Sequence, residues 1–306
     1  MGGVLTGFSI IAFVIAVGYV IERFQICGPR ARPVFNRTAF FVTNPALLFT
    51  VLAGADLHAA FSTVIRTSLI SAVLSAAIFV GVSRLFFRRK AAETTIGALA
   101  SSYVNANNIG IPVASYVLGD ATYVAPVLLL QLIVFAPTAL TVLDMTTRAS
   151  VSLRAILTQP FRNPMIIASA VGVVVSLTGV HLPDPVFEPF KLLGGAAVPL
   201  VLMAFGMSLS GSKPLKAGSG RKEILTAAAL KSVGMPAIAF VSGHFLFGAS
   251  GHLLFVMVVL AALPGAQNIY NFADTYSRGQ TIARDSILLT TIAAVPVLIV
   301  IAAFLA

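Results

Sequence analysis

Two short stretches hold the residues best suited to chemistry in this chain. One reads Asn105-Ala106-Asn107-Asn108-Ile109-Gly110-Ile111-Pro112; the other reads Pro264-Gly265-Ala266-Gln267-Asn268-Ile269-Tyr270-Asn271. Each sets neutral hydrogen-bonding side chains beside glycine and proline inside otherwise apolar sequence. Proline lacks an N–H and clashes with the preceding turn, while glycine loosens that turn. A helix interrupted in this way leaves N–H groups free at one new end and carbonyls free at the other. The N-terminal half-helix end carries partial positive charge and suits a carboxylate. Asn105, Asn108, Gln267 and Asn268 would add donors and acceptors there, with Gly110 and Pro112 setting one break and Pro264 the other. The expected chemistry is binding rather than bond-making. The plainer alternative is two kinked helices whose amides only satisfy broken backbone; two such segments in matched positions favour a substrate site.

Lys231 is the remaining candidate. It lies about eight residues into an apolar run, roughly 12 Å deep at 1.5 Å per residue. An intramembrane ammonium is expensive and therefore a functional hypothesis. Attracting an anion and bracing neighbouring helices are both open, as is snorkelling to the cytoplasmic surface. Asp120, Asp144, Asp184, Glu188 and Asp285 all fall near the ends of apolar runs or between them, and Asp274 is expected at the cytoplasmic mouth. The lack of a carboxylate at depth argues for potential-driven uniport of an anion, with sodium coupling left open.

Enzyme chemistry finds little support. There is no H-E-x-x-H and no G-x-S-x-G, and His58, His181, His244 and His252 lie close to predicted loops. Cys27 is the single cysteine, so neither an internal disulfide nor a cysteine metal cluster is expected. Nothing resembles a nucleotide-binding loop, and no cofactor or metal is implied.

The elements that must position these residues are membrane helices. Of 306 residues, 58% are hydrophobic and 10% charged, whereas a soluble domain carries about a quarter charged residues. Apolar runs fall at approximately 4–21, 34–54, 61–87, 94–118, 122–145, 163–180, 186–210, 223–247, 252–276 and 282–305. Their lengths suit helices crossing a hydrocarbon core of about 30 Å. The alternating pattern of a β-barrel is absent, and lipid forbids open sheet edges. The sequence therefore predicts an all-α polytopic membrane protein of ten spans.

Of the 20 Lys and Arg residues, all but Arg66, Lys191 and Lys231 fall in the odd-numbered loops or at the run ends that border them. Placing those loops in the cytoplasm puts both termini outside. The +10 formal charge then reads as loop anchoring in a cell (inner) membrane, with lipid and not nucleic acid as the partner.

The chain also divides into two halves, 1–150 and 151–306. Pro112 pairs with Pro264, Pro45 with Pro199 and Pro137 with Pro296, all at nearly one offset along the chain. A five-helix unit present twice must enter the membrane from opposite sides, which makes an inverted repeat, a common plan of secondary transporters.

At this point the chain resembles the auxin efflux carrier family. The likeness rests on Asn105 through Pro112, on Pro45-Ala46-Leu47-Leu48-Phe49, and on Asn163-Pro164. It extends to Gly206 with Leu209, Lys231 before Pro236, and Pro264, Asn268, Ala273 and Tyr276. The resemblance implies two inverted five-helix repeats divided into a scaffold and a transport domain. It also implies that spans 4 and 9 cross at their breaks, and that Asn105 contacts a substrate carboxylate there. The link between spans 5 and 6 is short, in contrast to the long cytoplasmic loop of the plant members, which makes auxin a doubtful substrate. Bacterial relatives labelled malonate or dicarboxylate transporters point to a small carboxylate, and a homodimer through the scaffold follows from the same likeness. Two other readings stay open: a sodium-coupled organic-anion symporter of the bile-acid type, and a non-transporting membrane sensor.

Overall fold

The computed structural model describes residues 2–54, 57–147, 164–180, 182–210, 215 and 220–306. The described residues are helical apart from connecting segments and one isolated antiparallel bridge. In chain order the rods are α1 (Gly2–Arg23), α2 (31–53), α3 (57–87), α4 (Ala91–Ser102), α5 (106–118) and α6 (121–147). They continue as α7 (Pro164–Thr178), α8 (184–209, bending at Ala196), α9 (Arg221–Leu246), α10 (Gly251–Ala262), α11 (Asn268–Thr275) and α12 (Gln280–Leu305).

Four stretches are long and apolar enough to cross a membrane: Thr63–Phe87, Asp184–Met207, Arg221–Leu246 and Gln280–Leu305. Ala121–Leu130, Pro164–Thr178 and Gly251–Ala262 are shorter apolar helices. Large apolar side chains face outward along the rods, among them Phe13, Leu192, Val233, Ile292 and Phe304. That outer surface suits lipid, not water. The boundary expected near residue 150, and Arg148, Arg154, Arg162, Asn163, His181, Lys213 and Lys216, lie outside the described residues.

The prolines explain why several rods are not plain α-helices. π-Helical segments at Ala39–Thr43, Ala106–Gly110, Gln131–Phe135 and Leu230–Gly234 run up to Pro45, Pro112, Pro137 and Pro236, with one residue between segment and ring. In each case that residue donates to a carbonyl five positions back: Asn44 to Ala39, Ile111 to Ala106, Ala136 to Gln131 and Met235 to Leu230. The widened turn makes room for the ring and lets the helix continue. Pro112 was expected to break its helix; instead it sits inside α5, and the interruption lies at residues 103–105.

Packing divides the rods into two groups. α1 lies against α8, and α2 against α7 and α8. The contact of α1 with α8 is backbone to backbone: a methyl group at Gly18 would fall on the Met203 carbonyl, and one at Gly206 on that of Ile15. The second group joins α3, α4, α6, α9, α10, α11 and α12. α5 bridges the two, touching α1 and α8 on one side and α6 on the other.

Candidate functional site

α4 stops at Ser102 because Tyr103 turns to an extended conformation, with φ −90° and ψ 104°. α10 stops at Ala262 because Leu263 precedes a proline and is extended too, with φ −55° and ψ 144°. The two extended segments then pair with each other. Asn105 N donates to the Pro264 carbonyl at 2.7 Å, and Ala266 N donates to the Tyr103 carbonyl at 3.1 Å. Val104 and Gly265 form the antiparallel bridge between them. The break expected at Pro264 is present, and it meets the break before Asn105.

Unpaired backbone at this depth costs several kcal/mol per group in lipid, and side chains from four other rods meet the need. Gln131 Nε2 donates to the Val104 carbonyl at 2.7 Å, and Gly265 N donates to Thr290 Oγ1 at 3.0 Å. Ser75 Oγ donates to the Ser101 carbonyl at the end of α4, at 2.7 Å. Lys231 Nζ donates to the Ala261 carbonyl at the end of α10, also at 2.7 Å. Lys231 is 0% exposed, so it does not snorkel to a surface.

Asn105 caps α5. Its Oδ1 accepts from Asn108 N at 3.0 Å, and its carbonyl accepts from Gly110 N at 2.8 Å. It is 4% exposed, and among the described residues its Nδ2 donates to no protein group. Asn107 Nδ2 donates to Asn108 Oδ1 at 2.8 Å, while Asn107 Oδ1 is buried with no partner among the described residues. Gly110 is needed where the two breaks touch, because a methyl group there would stand 2.8 Å from Val124 Cγ2 and 3.0 Å from Leu263 Cδ1. Across the crossing, Asn268 opens α11 and meets the buried Tyr103 side chain, while Gln267 is half-buried beside it.

Asn105, Asn108, Gly110, Pro264, Gln267 and Asn268 thus gather at one crossing, whereas Pro112 packs further along inside α5. Two helix N-termini, of α5 and α11, begin at the crossing, and two C-termini, of α4 and α10, end there. The N-terminal ends with their amide side chains can hold an anion. Ser75, Gln131 and Thr290, which hold the breaks together, were not foreseen. A signal existed: Gln131 and Thr290 are polar residues inside apolar runs, separated along the chain by the same interval as Pro137 and Pro296.

Away from the crossing, charged residues tie rod ends together. Arg89 Nε pairs with Glu223 at 2.8 Å, and this neighbour holds the guanidinium pKa above its usual value. Asp285 accepts from Arg284 Nε at 2.7 Å and from Leu215 N at 3.0 Å. Tyr276 donates to Asp144 at 2.8 Å.

Comparison with known proteins places this architecture. The family described as membrane transport protein matches residues 4–151 and 146–302. A Rhizobium meliloti protein that bears the provisional name of malonate transporter is 25% identical, over 92% of this chain and 89% of its own length. An uncharacterized transporter of Methanothermobacter thermautotrophicus is 27% identical over 69% of each chain. A rice protein provisionally named auxin efflux carrier component 5b is 29% identical over 48% of this chain, a match that spans 40% of the rice protein's length. With the family matched along nearly its whole length, the chain belongs to the membrane transport proteins of the auxin efflux carrier family.

Proposed function

We propose that the chain is a secondary carrier that binds a small carboxylate at the crossing of the two broken helices and exposes it alternately to each side. The observation that carries the reading is the crossing itself. Two helix N-termini open there beside Asn105, Asn108, Gln267 and Asn268, and the Asn105 amide nitrogen has no acceptor among the described residues. A carboxylate supplies an acceptor and the matching charge.

In this reading the chain makes ten spans as two inverted five-helix repeats, residues 1–150 and 151–306, with both termini outside the cell (inner) membrane. Support comes from matched partners. Gln131 and Thr290, separated by the same interval as Pro137 and Pro296, hold Val104 and Gly265, the two residues of the bridge. The α1, α2, α7 and α8 group serves as the scaffold, and a homodimer would form through it. The second group moves the site, with α5 sliding along α1 and α8. The name of the Rhizobium relative makes malonate the first substrate to try.

The test is a thermal-shift series on the detergent-purified protein with mono- and dicarboxylates. The expected result is saturable stabilisation by at least one small carboxylate, lost in Asn105→Ala. Stabilisation that is equal in wild type and Asn105→Ala would remove the site from the crossing.

A further inference from the structure

The two halves hold their crossing with like parts, except in one place. Gln131 serves Val104 and Thr290 serves Gly265, each partner displaced from its counterpart by nearly the same interval along the chain. At the neighbouring helix ends, Ser75 serves the Ser101 carbonyl and Lys231 serves the Ala261 carbonyl, again at nearly that interval. Ser75 and Lys231 therefore serve matching helix ends from matching helices, about one turn apart in register. The first half closes its broken helix with a hydroxyl, the second with an amine.

The carbonyl that Lys231 serves is one the break has orphaned. In an unbroken helix Ala261 would accept from Gly265 N, but that N–H is turned to Thr290 Oγ1, and Pro264 has no N–H for Leu260. The C-terminal end of α10 thus concentrates partial negative charge inside the membrane. Carriers with discontinuous helices bind coupling cations at such carbonyl ends. Here the Lys231 amine is already in place, fully buried and with no ion-pair partner among the described residues. Beside the Ala261 carbonyl runs a narrow crevice lined by Ser68, Ser102, Gln131 and Met235. Its hydroxyl and amide groups share Ala261 with the Lys231 amine and supply oxygens of the kind a small cation takes.

We propose that Lys231 is a resident cation that fills the place of a coupling sodium ion, and that a neutral residue at 231 turns this place into a sodium site. The proposal deepens the carrier reading, resting on it for the meaning of coupling but not for the binding measurement. The step is pure binding: Na⁺ enters with oxygen ligands and no proton or electron moves.

The test compares wild type with Lys231→Ser, which removes the amine, leaves a small hydroxyl and opens the space beside the Ala261 carbonyl. Purified protein is melted in NaCl and in choline chloride at equal ionic strength, with no carboxylate present. The expected result is identical melting of wild type in the two salts and a saturable, Na⁺-specific rise of about 2–4 °C for Lys231→Ser. Na⁺-specific stabilisation of wild type would overturn the proposal, as would a folded Lys231→Ser that ignores Na⁺. If Lys231→Ser fails to fold, the wild-type arm still decides, joined by uptake of labelled malonate into wild-type proteoliposomes. Equal initial rates in Na⁺ and choline support the proposal, and a tenfold loss in choline overturns it. Absence of uptake in both salts would count against the carrier reading alone, because the melting comparison stands without it.

Discussion

Replacing Asn105 separates its two roles. The side-chain Oδ1 caps α5 by accepting from Asn108 N at 3.0 Å, and in the proposed carrier the Nδ2 is the group offered to the substrate. Removing an N-cap costs about 1 kcal/mol of stability, within a range of about 0.5–2. Removing a hydrogen bond to a charged ligand costs about 1.5–3 kcal/mol, which is roughly a 10- to 150-fold loss of affinity at about 1.4 kcal/mol per decade. Asn105→Ala loses both terms. Asn105→Ser keeps the cap, because serine caps about as well as asparagine, but its hydroxyl is too short to place a donor where the amide stands. The expected pattern is a lowered Tm only in Asn105→Ala and weakened carboxylate binding in both variants. The assay is unfolding of purified protein with and without a stabilising carboxylate, followed by equilibrium binding of the labelled ligand. Full carboxylate affinity in Asn105→Ser would refute the reasoning and leave Asn105 as a helix cap alone.

Gly206→Leu forces α8 away from the backbone of α1 and should cost about 1–3 kcal/mol or more, seen as a lower Tm; Gly81→Ala, where nothing lies within 4 Å of the added carbon, should be neutral or stabilising by up to about 1 kcal/mol. Gln131→Leu leaves the Val104 carbonyl without its donor, and the predicted loss is about 1–3 kcal/mol; unchanged melting would mean that the carbonyl finds water. Glu223→Ala removes the partner of Arg89, whose side chain is 42% exposed, so the expected loss is below about 1 kcal/mol and shrinks as salt is added.

How far the sequence could be read follows from what each residue's signal depends on. Helical rods and their apolar outer faces come from local composition, which lipid enforces along every run. The Pro264 break was legible because a residue before proline is biased out of the α region, a bias that Leu263 follows and Ile111, before Pro112, does not. Pro112 misled because its effect is decided by the turn before it: the π segment at Ala106–Gly110 absorbs the ring, and no local rule forecasts a widened turn. The real interruption at 103–105 is set from a distance, by the Pro264 and Ala266 backbone and by Gln131, contacts that exist only once the two halves meet. Lys231 was legible as a buried charge but not in its role, since Ala261 becomes an acceptor only after Gly265 turns to Thr290. Gly206 stood out only through the family likeness and Gly18 not at all, because what marks them is close packing of each against a carbonyl of the other helix.

The central claim is that a small carboxylate crosses the membrane through the site at the crossing, and flux tests it most directly. Purified protein would be reconstituted into liposomes and uptake of labelled malonate, and then of other small mono- and dicarboxylates, followed under an inside-positive potential. The account predicts saturable uptake of at least one of them, faster than in empty liposomes, increased by the potential and lost in Asn105→Ala. Carboxylate binding by the purified protein with no uptake above that of empty liposomes across the series would contradict it, and would make the crossing the site of a sensor instead of a carrier.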